Sequence, residues 1–159
     1  MTKYTMMKTN VWIYLMAIFW FYSALAQEQA PYMDKGFLII HSAEDYRAAL
    51  QVANEASTQL GVKIDLRGYD EDPEMGLTTL TPCCEFHNYI PRGRYDGGDY
   101  ISIELGEPYQ AAEKYVVIIS SVAMGGEAEK DLEKLLSKAK KFYKDAHVKE
   151  VKVYIGCIH

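Results

Sequence analysis

The run YVVIISSVAMGGEAEKDLEKLLSKAKKFYKDAHVKEVKVYIG, residues 115–156, reads in order as a strand, a helix and a second strand. Tyr115-Val116-Val117-Ile118-Ile119 is a continuous stretch of β-branched and aromatic residues, the composition of a buried strand. Gly125-Gly126 interrupts it. Ala128, Leu132, Leu135, Leu136, Ala139, Phe142 and Tyr143 then recur at intervals of three and four, which makes one face of a helix apolar. Glu127, Glu129, Asp131 and Glu133 occupy its early turns and Lys138, Lys140, Lys141 and Lys144 its last, so each sign meets the end of the helix dipole that favours it. Val151, Val153, Ile155 and Cys157 alternate with their neighbours and predict a closing strand on one of whose faces they lie.

The same order recurs toward the N-terminus. Gly36 opens Phe37-Leu38-Ile39-Ile40, a short apolar strand, and Ser42 suits a helix N-cap with Glu44 and Asp45 in the first turn. Tyr46, Ala49, Leu50, Ala53, Ala56 and Leu60 form the stripe of a helix that Gly61 ends. Val62, Ile64 and Leu66 alternate with Lys63, Asp65 and Arg67 as a half-buried strand stopped by Gly68. Two such units predict an α+β fold, a ferredoxin-like β-α-β-β-α-β sandwich with two helices on one face of an antiparallel sheet. A doubly wound parallel sheet would need more units and strands that are apolar throughout, whereas two of these strands alternate.

Between the two units lies an inserted segment, residues 69–113, with four of the chain's five prolines and ten acids against two bases. Within it Tyr100, Ser102 and Glu104 alternate with Ile101, Ile103 and Leu105, an additional strand. A long excursion binds something, carries its own structure or is disordered, and its tyrosines argue against disorder. Arg92-Gly93-Arg94-Tyr95-Asp96-Gly97-Gly98-Asp99 reads either as a turn whose charges pair locally or as a recognition loop. In the second reading Arg92, Arg94, Tyr95, Asp96, Asp99 and Tyr100 are the ligand-binding residues. Their aromatic faces suit sugar rings, and their charged groups suit hydroxyls and carboxylates.

The first residues say where the chain works. Lys3 and Lys8, the apolar run from Val11 to Phe21, and Ala24-Leu25-Ala26 predict a signal peptide over residues 1–26, cut after Ala26. A polar leader over 27–35 and a single domain over 36–159 follow. An uncleaved anchor is the alternative, since no charge occurs between Lys8 and Glu28; cleavage would leave no stable membrane span. The expected location is periplasmic or secreted. Losing Lys3 and Lys8 takes the net charge from -5 to -7, which disfavours nucleic acid as a partner.

Cys83, Cys84 and Cys157 would enter an oxidising compartment, where a disulfide from Cys83 or Cys84 to Cys157 is the simplest pairing. With His87 and His159 they also offer a zinc set, but their spacing matches no closed module. Asp70-Glu71-Asp72-Pro73-Glu74 lacks the ligand alternation and central glycine of an EF-hand loop. No metal, cofactor or catalytic residue is therefore expected. The four histidines come with no nucleophile turn, and a carboxylate pair for glycoside cleavage would need a deep cleft.

Tyr115-Val116-Val117-Ile118-Ile119-Ser120-Ser121, then Glu127-Ala128-Glu129-Lys130 opening a Leu- and Lys-rich helix, then Val151-Lys152-Val153-Tyr154-Ile155-Gly156, resemble the sporulation-related repeat (SPOR) domain of bacterial envelope proteins. The resemblance covers residues 115–156 best and 36–68 more weakly. It implies the β-α-β-β-α-β fold and an exported, non-catalytic module that binds peptidoglycan glycan strands on its sheet surface. Two other readings stand beside it. An envelope or secreted protein-interaction or inhibitory module suits the acidic charge, and a small cell-wall hydrolase would use acidic side chains.

Overall fold

The computed structural model describes residues 31–79, 89–94 and 96–156. The elements are β1 (Tyr32–Ala43), α1 (Tyr46–Leu60), β2 (Tyr69–Asp72), β3 (Gly76–Thr79), β4 (Gly98–Leu105), a 3-10 turn (Glu107–Tyr109), β5 (Tyr115–Ala123), α2 (Glu127–Ala139) and β6 (His147–Tyr154). The main sheet has the order β4-β5-β1-β6 with every neighbour antiparallel, and β2 and β3 form a separate hairpin. Both helices pack on one face of the main sheet. This is the ferredoxin-like β-α-β-β-α-β arrangement.

Alternation along the strands divides the apolar side chains between two faces. Leu38 and Ile40 of β1, Ile101 and Ile103 of β4, and Tyr115, Val117 and Ile119 of β5 face the helices. They meet Ala49, Ala53, Ala56 and Leu60 of α1 and Leu132 and Ala139 of α2, all buried. Three alanines on α1 let its backbone approach the sheet closely, since each buries its side chain without holding the layers apart. Phe37, Ile39, Val116 and Ile118 face the other way, beneath Tyr109 of the 3-10 turn. At Ile40 the β1–β5 register slips, with Ile39 opposite Ile118 and His41 opposite Val117, a local bulge in the central strand.

Several boundaries differ from those read in the sequence. The first strand starts at Tyr32, inside the stretch assigned to the leader, and runs through Ser42. The N-cap of α1 is consequently Asp45, whose carboxylate accepts from Ala48 N at 3.0 Å. The stripe of α2 stops at Ala139, and Phe142 stands half exposed in the turn beyond it. Asp70-Glu71-Asp72 belongs to the β2–β3 hairpin, where Asp72 Oδ1 accepts from Glu74 N and Met75 N at 2.8 Å each and closes the turn. These bonds to the charged carboxylate hold the pKa of Asp72 below its ordinary value.

The largest difference concerns the second strand of the sandwich. Val62–Leu66 makes a single parallel bridge, Ile64 to Ile101, with Asp65 N donating to Ile101 O at 2.9 Å and Ile101 N to Lys63 O at 2.8 Å. The strand that enters the sheet is β4, from the segment read as an insertion. A short connection from β4 to β5 makes that hairpin the least costly pairing, and Val62–Leu66 is left along its outer edge. The predicted signal peptide, Tyr95, and Cys83, Cys84, Cys157, His87 and His159 lie outside the described residues. Among the described residues no helix is long and apolar enough to cross a membrane.

Candidate functional site

A polar group on β4 organises the sheet face opposite the helices. Glu104 has no exposed surface. Its carboxylate accepts from Arg67 Nη1 at 3.2 and 3.0 Å, from Tyr89 Oη at 2.7 Å and from Arg92 N at 3.3 Å. Arg67 reaches it because Arg67 and Gly68 both have left-handed backbones, φ 59 and 71, which turn the chain back over β4. The same guanidinium pairs through Nε with Asp96 at 2.9 Å and donates to Ile90 O at 2.9 Å. Burial works against its charge, but Glu104 and Asp96 outweigh burial and raise its pKa. One arginine thus ties both sides of the 89–96 segment to the sheet.

Arg92 is only 1% exposed. Its Nη1 donates to Tyr100 O at 2.8 Å, Ser102 Oγ at 3.2 Å and Ile118 O at 3.2 Å, and its Nη2 to Gly98 O at 2.7 Å. The guanidinium lies 3.5 Å from the centre of the Tyr100 ring, and the Arg92 carbonyl accepts from Tyr109 Oη at 3.0 Å. Burial pulls its pKa down, against the opposing pull of Tyr100 and Glu104. Gly93 (φ 113) follows it, where a Cβ would lie 2.4 Å from Phe37 Cζ. A left-handed residue without a side chain is what lets the segment rest on the sheet.

The sequence-predicted binding residues therefore separate. Arg92, Asp96 and Tyr100 come together in the interior knot, where Asp96 accepts from Gly93 N and from Tyr100 Oη, both at 2.7 Å. Desolvation would raise the pKa of Asp96, but these bonds and Arg67 lower it below the ordinary carboxylate value. Asp99 stands apart and accepts from Ser120 Oγ at 2.6 Å. Arg92 and Arg94 do not project from one turn as a pair: the Arg92 guanidinium turns inward to the carbonyls of Gly98, Tyr100 and Ile118, while Arg94 stands at the rim of a cleft that both residues line. The sequence reading missed Arg67, Tyr89 and Glu104 as partners of this loop. Glu104 alternates with Ile103 and Leu105 as a solvent-facing residue would, and nothing near it in sequence signals the cover.

That cleft, about 230 Å³, opens on the same face between β6, the 3-10 turn and residues 90–94. Phe37 and Tyr109 form its floor, in an edge-to-face contact with centroids 4.9 Å apart. Val151 and Val153 of β6 line one wall, and Ile90 and Pro91 the other. At the mouth stand Tyr154 and Arg94, whose guanidinium carbon lies 4.9 Å from the Tyr154 ring centre and whose Nη2 donates to Gly156 O; Lys152 borders the cleft but its ammonium turns to Asp34. The cleft is smaller than the ~300–1,000 Å³ of sites for drug-sized ligands, so it suits one ring or a short stretch of a longer chain. Its chemistry is an apolar floor beside aromatic and cationic groups.

A wider hollow of about 620 Å³ at the far end of β1 includes His41, Glu113, Lys144, Asp145 and His147. Lys144, Asp145 and His147 are themselves exposed, and His147 is bonded back to Asp145 O at 2.9 Å. Among the described residues no three His, Cys, Asp or Glu side chains gather as a metal site. Comparison of the chain with family models, with curated proteins and with solved structures finds no match.

Proposed function

We propose that the protein is an exported, non-catalytic binding module whose cleft beside β6 takes a segment of a cell-wall glycan. The observation that carries this reading is the pairing of an apolar floor and wall, Phe37, Tyr109, Val151 and Val153, with Tyr154 and Arg94 at the mouth. The apolar face of a sugar ring packs on aromatic and aliphatic surface, while a guanidinium bonds its hydroxyls or a carboxylate substituent. A cleft of this size accommodates one ring at a time, which fits a polymer passing over the sheet better than a large compact ligand. The resemblance of residues 115–156 to the SPOR domain points the same way.

The test is retention of the purified protein on peptidoglycan, intact and after an amidase has stripped its stem peptides. Retention should survive stripping, and Val153→Glu, which puts a charge on the apolar wall, should weaken it by about tenfold, or 1.4 kcal/mol. Absence of retention on both materials would remove the glycan assignment. Salt-sensitive, stoichiometric capture of a single envelope protein in its place would favour the protein-interaction reading.

A further inference from the structure

We infer that the outer edge of β6 pairs with the same edge of a second copy of this chain, with Val151 on the two-fold axis. The phase of the β1–β6 ladder fixes which residues of β6 bond outward. Its register runs without a slip from Tyr32 opposite Tyr154 to Ile39 opposite His147, and Ile155 N donates to Pro31 O at 2.7 Å, one step beyond it. Hydrogen-bonded pairs alternate with non-bonded ones in an antiparallel ladder. The odd-numbered residues of β6 therefore spend their backbone groups on β1. Val148, Glu150 and Lys152 direct theirs outward, and among the described residues no strand takes them up.

Edge charges normally discourage such pairing, and here they choose between the registers of greatest overlap. A two-fold sets outward-directed residues opposite one another whichever residue lies on the axis, and β6, His147–Tyr154, overlaps its copy most fully with Glu150 or Val151 there. With Glu150 on the axis, two carboxylates oppose each other; with Lys149 or Lys152 there, two ammonium groups do. With Val151 on the axis, Glu150 faces Lys152 of the second copy and Lys152 faces its Glu150. Val148 and Tyr154 also meet across the seam, and Val151 meets itself. Opposite charges directly across strands attract and like charges repel. Lys152 already lies 3.6 Å from Asp34 within its own chain, so pairing places it between two acids.

A two-fold between antiparallel strands runs perpendicular to the sheet, so both helical layers lie on one side and both clefts open on the other. The inference does not rest on what those clefts bind. Its test is sedimentation of the purified protein over a range of concentration and salt, with E150K, K152E and the doubly exchanged variant. Glu150 and Lys152 are exposed, so circular dichroism should show all three variants folded. A reversible dimer that added salt weakens is expected for the parent. Each single exchange should weaken it at least about tenfold, and the double exchange should restore it. A parent that stays monomeric at millimolar concentration overturns the inference, as does a dimer insensitive to the single exchanges or one that the double exchange fails to restore.

Discussion

Glu104 is wholly buried, and Arg67, Tyr89 and the Arg92 backbone all bond to it. Removing one member of such a pair strands the other and commonly costs about 3–5 kcal/mol, a large share of the ~5–15 kcal/mol that holds a small domain together. Glu104→Ala should therefore lower the urea midpoint sharply. Glu104→Gln keeps an acceptor for Tyr89 and should lower it less. An unchanged midpoint for the alanine variant would show that the knot contributes nothing to stability. Asp96 adds a pH dependence to the same knot. Its pKa in the fold is depressed, so it stabilises the fold above the unfolded value of about 3.9. That contribution declines as the pH falls below this value and is gone once the pH has passed the folded one. Asp96→Asn should make the acid limb of the stability curve shallower than the parent's, as denaturation midpoints between pH 5 and 2 would show; identical limbs would assign the acid sensitivity to other carboxylates.

At the scale of elements, the start of α1 shows how a strand and a cap compete for the same residues. Ser42 and Asp45 are both good N-caps by type. The pairing of β1 with β5 extends through Ala43, opposite Tyr115, so Ser42 is consumed by the sheet and the helix begins after Asp45. Asp45→Ala should cost about 0.5–2 kcal/mol, whereas Ser42→Ala should leave the helix terminus intact. Thermal melts of the two variants decide it, and equal losses would mean that the cap bond at Ala48 N is not what matters. A similar competition sets β4. Val62–Leu66 alternates as regularly as β4 does, yet β4 is joined to β5 by residues 106–114 alone and gains an antiparallel ladder with one shift of register. The polar side of β4 then becomes an interior surface, because residues 89–94 and Asp96 lie over it. Helix α2 needs no such account: its periodicity and end charges are local, and Lys138 in the last turn further reaches Leu60 O at 2.6 Å.

Among the described residues, the helices cover one face of the sheet, and residues 89–94 with the 3-10 turn cover part of the other. The cleft beside β6 and the outer edge of that strand stay open. The α+β class, the two helices, the central strands and their division into two similar units are legible in the amino-acid order alone. Those features rest on periodicity within ten or fifteen residues, and an apolar stripe has the same meaning wherever the chain goes next. Long-range packing sets which of two strand-like runs completes the sheet. It likewise turns the Arg92 guanidinium inward and leaves Arg94 at the edge of the cleft. Arg67 and Glu104 lie 37 residues apart, and a polar residue in an alternating strand has the same local pattern whether water or protein covers it. The cover comes from a segment whose path depends on the left-handed turns at Arg67, Gly68 and Gly93 and on contacts with strands distant in sequence, and no local pattern encodes such a contact.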